Sequence, residues 1–224
     1  PLSFFALEGS YATFPEDPQS RMIEFRELVD ELHRNGIRVI LDVVYNHVYE
    51  YKTSVFEKSF PGYYFRKVND KICNGSGCGD DFASETVMGR KAIIDSIKHL
   101  LTTYDVDGFR FDLLGLIDLE TSKQVISEAK AIKPDVTLYG EGWFIPSKLD
   151  LSKLTNKGAA KVLPEMGFFN DNFRNTVRGP NGKFSSNGFI DGDRSNLSNV
   201  ENVFLGNFLS NLGLDINIQG LLSV

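Results

Sequence analysis

The chain has 224 residues, of which 42% are hydrophobic and 24% charged, with a formal net charge of −6. That is an ordinary globular composition, long enough for one or two hydrophobic cores, and its acidity argues against nucleic acid as a partner because nothing would neutralise phosphates. No long apolar span and no signal-peptide pattern occurs, so no membrane partner is expected of a soluble chain, cytoplasmic or secreted; the start at Pro1 without methionine reads as a processed or excised end.

Pro1 to Ser20 is loop-like, punctuated by Gly9, Pro15 and Pro18. Its aromatics Phe4, Phe5, Tyr11 and Phe14 suit either packing or a ligand site. Ser20 reads as an N-cap, Met22, Phe25, Val29 and Leu32 as one helical face, and Asn35-Gly36 as the stop. Ile37 to Tyr45 is a run expected of a parallel strand buried on both faces, delivering Asp42, Asn46 and His47 to its C-terminal rim. An acid such as Asp42 in so apolar a strand is costly unless paired.

Residues 48–86 have no sustained helical pattern and are too long for an ordinary βα loop, so they read as an inserted lobe. Its aromatics, among them Tyr49, Tyr51, Phe56, Phe60, Tyr63, Tyr64 and Phe65, argue against disorder and suit either packing of the lobe or a sugar platform. Cys73 and Cys78 read as plain loop thiols, with a local disulfide as the alternative and zinc short of two ligands. Ser84-Glu85 reads as the start of the next helix, with Ile93, Ile94, Ile97, Leu100 and Leu101 as its buried stripe.

The centre of the chain runs from Asp107 to Trp143. Val106 to Asp112 and Val136 to Glu141 each alternate like a strand and end on a carboxylate, and Leu119, Val125, Ile126, Ala129 and Ile132 between them keep helical spacing. A strand-helix-strand crossover places both strand ends at one sheet edge, so Asp112 and Glu141 should share a face. Two carboxylates there are what glycoside hydrolysis requires, and Arg110, on the same side of its strand as Asp112, is expected to keep Asp112 ionised. Either acid alone would more simply cap a helix or pair with an arginine; the pair, with Arg110 and Trp143 beside it, favours catalysis.

Beyond Trp143, Leu149, Leu151 and Leu154 suggest a short helix, Lys161-Val162-Leu163 a further strand near 161–164, and Phe168 to Val177 a helix or turn. The organisation expected is a catalytic (β/α) unit over 1–178, with 48–86 as its lobe, and a loop-rich segment over 179–224.

DVVYNH at Asp42 to His47, GFRFD ending at Asp112 and YGEGW around Glu141 resemble three of the four signature regions of glycoside hydrolase family 13, the α-amylase superfamily. The YGEGW form, GCGDDFASE at Gly77 to Glu85, LSFFALEGSYAT and GFFNDNFRNTVRG are most similar to its type I pullulanase subgroup, which debranches α-glucans at 1,6 linkages. The resemblance implies Asp112 as nucleophile and Glu141 as general acid. It also implies substrate-binding roles for Asp42, Asn46, His47, Arg110 and Trp143, and an α-glucan polysaccharide or oligosaccharide as partner. It implies no cofactor; some relatives hold calcium near the region of Asn46, for which a single Asn is no coordination sphere.

The fold expected is α/β, a partial TIM (β/α)8 barrel of roughly strands 3 to 6, because only about four barrel strands can be counted where eight are needed. The chain therefore reads as the middle of a longer protein. The fourth signature region, a His-Asp pair, is not found: no histidine follows His99, and Asp171, Asp191, Asp193 and Asp215 lack its context. The alternatives are a relative acting on 1,4 linkages, or a non-catalytic α-glucan-binding protein.

Overall fold

Asp17 and Pro18 begin the first helix, α1 (Pro18–Arg34): the Asp17 carboxylate accepts from the Gln19 N–H, and Pro18 at the first helical position has no N–H to orphan. Ser20 is therefore not the cap; it lies inside α1 and its hydroxyl donates to Glu24. The stop is where the sequence puts it, at Asn35, with Gly36 at φ +73°. The computed structural model describes residues 2–179, 188–190, 192, 194, 200 and 203. The chain forms two compact units, Pro1–Ala159 and Ala160–Val224.

In the first unit three parallel strands lie side by side: β1 (Ile40–Val43), β6 (Gly108–Phe111) and β7 (Thr137–Gly140). Asp42 pairs in register with Arg110, which pairs with Tyr139. The first strand is shorter than Ile37 to Tyr45, and it is not buried on both faces. Among the described strands β1 is bonded only to β6, and Ile40 and Ile37 stay exposed. Two helices accompany the strands, α3 (Val87–Tyr104), capped by Thr86, and α4 (Leu119–Ile132), capped by Asp118. The cap of α3 falls just beyond the Ser84-Glu85 expected from sequence. The apolar stripes of α3 and α4 pack together. Phe109, Phe111 and Leu138 are buried on the side of the sheet away from Arg110, each contributing about 1.5–3 kcal/mol.

Between β1 and α3 the chain forms β2 (His47–Val48), a short helix α2 (Val55–Ser59), a small hairpin of β3 (Lys67–Val68) and β4 (Lys71–Ile72), and β5 (Asp80–Asp81), which pairs antiparallel with β2. The aromatics of this stretch mostly pack on one another: Phe56 and Phe82 lie 5.0 Å apart, as do Phe56 and Tyr64, and Phe4 joins them at 5.0–5.1 Å. Packing thus accounts for Phe4, Phe56, Tyr64, Phe65 and Phe82, while Tyr49, Phe60, Tyr11 and Phe14 remain exposed. Arg66 is fully buried beneath them. Its guanidinium donates to Glu85 at 2.9–3.0 Å, to the Ser84 hydroxyl at 3.1 Å and to the Leu116 carbonyl at 2.8 Å, tying the stretch to the strand-helix framework.

At the opposite, N-terminal end of the strands Asp107 is held by the Lys133 ammonium at 2.7 Å, the Val39 N–H at 2.7 Å and the His33 ring at 2.8 Å. Burial alone would raise its carboxyl, but these donors outweigh it and bring it down to about 2.

The segment after Trp143 carries a one-turn 3-10 helix, Leu151–Lys153. The strand expected near 161–164 is not formed: Lys157–Val162 is a 3-10 helix. In the second unit the short strand is β8 (Gly167–Phe168), followed by α5 (Asp171–Val177) with Asn170 as its cap. Most of 179–224 lies outside the described residues. No helix among the described residues is long and apolar enough to cross a membrane.

Candidate active site

Three carboxylates meet at the C-terminal ends of the parallel strands, around one guanidinium. Arg110 Nη1 donates to Asp42 Oδ1 at 2.8 Å and lies 3.4 Å from Asp112 Oδ1, while Nη2 donates to Glu141 Oε1 at 2.7 Å. The sheet itself produces this convergence. Asp42 and Arg110 are register partners, Asp112 follows the last residue of β6, and Glu141 follows the last residue of β7. The Asp112 N–H extends the ladder to the Val43 carbonyl at 3.0 Å and the Glu141 N–H to the Phe111 carbonyl at 3.1 Å.

Two glycines permit the close approach. A Cβ on Gly140 would stand 2.5 Å from the Phe111 carbonyl oxygen, and one on Gly115 would stand 2.0 Å from that of Trp143. Just before Gly115, Leu113 adopts a left-handed conformation at φ +40°, costly for a residue with a Cβ, and its N–H donates to Glu141 Oε2 at 3.0 Å.

Asn46 is completely buried and relays between two other residues. Its Nδ2 donates to the Asp112 carbonyl at 2.7 Å and to Asp112 Oδ2 at 3.0 Å, so its Oδ1 is the acceptor facing His47 Nδ1 at 2.5 Å. Burial holds the His47 imidazole below its usual value, against the pull of Asp112 and Asp81. The β2–β5 register places Asp81 opposite His47. Asp81 is fully buried, one oxygen accepting from the Gly75 N–H at 2.8 Å and the other without a partner among the described residues. That burial raises its carboxyl, with Arg66 opposing.

Asp42, Asn46, His47, Arg110, Asp112 and Glu141 thus form one hydrogen-bonded set. Trp143 lies two residues beyond Glu141, half-buried, with the Lys157 ammonium 4.4 Å from its ring centroid. The electrostatics differ from expectation in one respect. Arg110 makes its shorter contacts with Glu141 and Asp42 rather than with Asp112, because the β7 end lies directly beside its guanidinium, and both Glu141 oxygens face donors. Sequence reasoning missed Leu113, Asp81 and Lys157. The doubled acid of Gly-Asp-Asp is the one signal among them; a leucine gives no hint of positive φ, and Lys157 lies too far along the chain to be linked to Trp143. Cys73 and Cys78 are free thiols. Among the described residues no group of three or more His, Cys, Asp or Glu side chains could hold a metal ion.

No family model matches the chain. It is 46% identical over 194 residues to the pullulanase of Bacillus subtilis (strain 168), covering 86% of this chain and 27% of that protein, and 35% identical over 207 residues to pullulanase 1, chloroplastic, of Arabidopsis thaliana, covering 86% and 21%. Among solved structures, the pullulanase from Anoxybacillus sp. LM18-11 complexed with maltotetraose superposes with a TM-score of 0.89 at 44% identity, over 93% of this chain and 31% of that one. The pullulanase type I from Bacillus subtilis str. 168 complexed with maltose gives 0.89 at 44%, over 92% and 29%. In its parallel α/β sheet and its sequence the chain is thus similar to pullulanases over 86–93% of its own length, while spanning 27–31% of the Bacillus and Anoxybacillus proteins it matches.

Proposed function

We propose that the chain carries the central part of the catalytic centre of a retaining hydrolase that cleaves α-1,6-glucosidic linkages in pullulan, amylopectin or glycogen-type α-glucans. In this reading β1, β6 and β7 are the third to fifth strands of a (β/α)8 barrel, whose C-terminal face carries the chemistry. The observation that carries the proposal is the guanidinium of Arg110 shared by Asp42, Asp112 and Glu141 at adjacent strand ends.

Asp112 attacks the anomeric carbon, forming a glycosyl ester as the glycosidic C–O bond breaks, and Glu141 gives its proton to the leaving oxygen. Water, deprotonated by Glu141, then attacks the ester and frees Asp112; the two carboxyls of such a pair stand about 5–5.5 Å apart. Before the first step one of Glu141's two donors, Arg110 or the Leu113 N–H, has to give way, so that the freed oxygen takes up from water the proton that it then passes to the sugar oxygen. Asn46 and His47 orient Asp112 and bind the sugar at the scissile bond, Asp42 anchors Arg110, and Trp143 offers a stacking face. The maltose and maltotetraose in the related structures support a maltooligosaccharide partner. The two-carboxylate route needs no cofactor, and the surroundings of Asn46 do not fit calcium, because its amide is engaged on both sides by Asp112 and His47.

The test is to exchange the matching segment of the Bacillus subtilis pullulanase for this chain and measure reducing-sugar release from pullulan and from linear amylose, in hybrids that melt cooperatively. Release from pullulan that outpaces amylose and disappears with Glu141→Gln is expected. Preference for amylose would reassign the linkage, and binding of maltooligosaccharides without cleavage would select the non-catalytic reading.

A further inference from the structure

The run Gly77-Cys78-Gly79-Asp80-Asp81 has no place in the two-carboxylate chemistry, yet it ends on a fully buried acid. Burying a carboxylate is costly unless its oxygens are used. Asp81 uses one of them on backbone: Oδ1 accepts the Gly75 N–H at 2.8 Å and the Ser76 N–H at 3.4 Å. Its Oδ2 has no hydrogen-bond partner among the described residues and lies over Gly75, where a Cβ would stand 3.0 Å from it and 2.8 Å from the Pro146 carbonyl oxygen. The acid is itself rooted in the framework. Its N–H donates to the Cys73 carbonyl at 2.9 Å, and its carbonyl accepts the Arg66 N–H at 3.0 Å.

Residues 74–79 thus form a loop drawn back onto its own base. The Gly79 N–H donates to Asn74 Oδ1 at 3.4 Å and the Ser76 hydroxyl to the Gly79 carbonyl at 3.3 Å, so the far end of the loop follows the near end. That far end meets the site. A Cβ on Gly79 would stand 2.8 Å from Cδ2 of the His47 ring and 2.2 Å from the Val48 carbonyl oxygen, so bare backbone lies against the imidazole edge. Asn46 occupies Nδ1 of the same ring, which leaves Nε2 as its other polar atom.

We propose that Asp81 is a positioning residue: by fastening loop 74–79 it holds Gly79 against the His47 ring, so that the imidazole presents Nε2 to a glucan hydroxyl in one orientation. The sugar-binding half of this rests on the α-glucan reading above. The χ2 torsion of histidine is broad, and a ring bonded at one nitrogen alone still swings about it. A wall at Cδ2 removes that freedom before the sugar arrives, which lowers the cost of binding. A carboxylate suits the anchoring position because its hydrogen bonds to backbone N–H groups are charge-assisted, roughly twice as strong as neutral ones.

The chain has three histidines, so the Cδ2–H signal of each can be followed by NMR. Spectra at about pH 8 keep the imidazoles neutral and report position rather than charge. The first measurements need no variant. The His47 Cδ2–H should show a cross-peak to the Gly79 α protons, and the Gly75 amide should be protected from exchange; absence of either would overturn the fastened loop. The second step compares wild type, Asp81→Ala and Asp81→Asn after circular dichroism shows equal helix content. Asp81→Ala should shift the His47 signal and lose the cross-peak while His33 and His99 stay in place. Asp81→Asn keeps an acceptor for the Gly75 N–H and should retain the wild-type spectrum. An unmoved His47 signal in Asp81→Ala would overturn the positioning role. The third is titration with maltotriose read on the His47 signal, where Asp81→Ala should bind roughly threefold to tenfold more weakly and Asp81→Asn within about twofold of wild type. A shifted His47 signal with unchanged maltotriose affinity would overturn the role toward sugar. No response of His47 to maltotriose in any form would overturn the α-glucan reading of His47 and the sugar-binding half with it, while leaving the fastened loop standing.

Discussion

Arg110 and Glu141 face each other at 2.7 Å across two adjacent parallel strands, and the same guanidinium reaches Asp42 at 2.8 Å from its other amino group. The cation is thus shared among acids that would otherwise repel one another. The three positions are not equally wet: the Asp42 side chain is 64% exposed, that of Glu141 only 19%. Arg110→Gln should therefore cost about 1–3 kcal/mol of stability by leaving half-buried acids uncompensated, whereas Asp42→Asn should cost less than about 1 kcal/mol. Arg110→Lys should not restore the loss, because an ammonium cannot span the forked geometry. Urea midpoints of the three variants decide the ranking.

Glu141→Gln in the pullulanase hybrid is expected to lower kcat about 10²–10⁴-fold, the usual contribution of a general acid. Asp112→Asn should lower it at least as far, since no covalent intermediate can form. Asn46→Ala removes the 3.0 Å contact to Asp112 and the acceptor for His47 together, so kcat should fall with KM changing less. Steady-state kinetics on pullulan give all three.

Arg66→Met removes every guanidinium contact to Glu85, Ser84 and Leu116 from a fully buried position. A loss of about 3–5 kcal/mol is expected, as for other broken buried pairs. Limited proteolysis should then cut first within 48–86, where the variant loses its tie to the framework, while the wild type resists cleavage there.

Asp107 makes stability depend on acid pH. Its carboxyl is held at about 2, below the ordinary value, so its contribution is fully present above about pH 4 and is lost as pH falls through about 2. Asp107→Asn should remove that acid limb and cost about 1–2 kcal/mol at neutral pH. Thermal melts of both proteins between pH 2 and 7 test the sign: the two curves should converge at the acid end.

The strand-helix-strand unit was legible because two independent periodicities, alternation and helical spacing, each ran long enough to be unambiguous and each strand ended on an acid. Asp42, Asn46 and His47 were placed by the same logic. The strand near 161–164 failed because a run as short as Lys161-Val162-Leu163 fits a helical turn equally well. The cap of α1 was misplaced although Asp17-Pro18 is itself a start signal, one that outweighs a serine further on. Arg66 and Asp107 could not be assigned because their partners, Glu85, Leu116, His33 and Lys133, lie far away in sequence. The sharing of Arg110 by Glu141 depends on the packing of neighbouring strand ends, which no pattern within one strand encodes.

The antiparallel pairing of His47–Val48 with Asp80–Asp81 pinches the chain at the neck of the lobe. Entry and exit are stitched together beneath it, so growth or shortening between them need not move the strand ends that carry the acids. Closing a longer loop costs only about 0.6 kcal/mol for each doubling of length. The stretch between the two pairs can therefore be lengthened or shortened while the carboxylates at the strand ends keep their spacing, which separates change in the lobe from change at the acids.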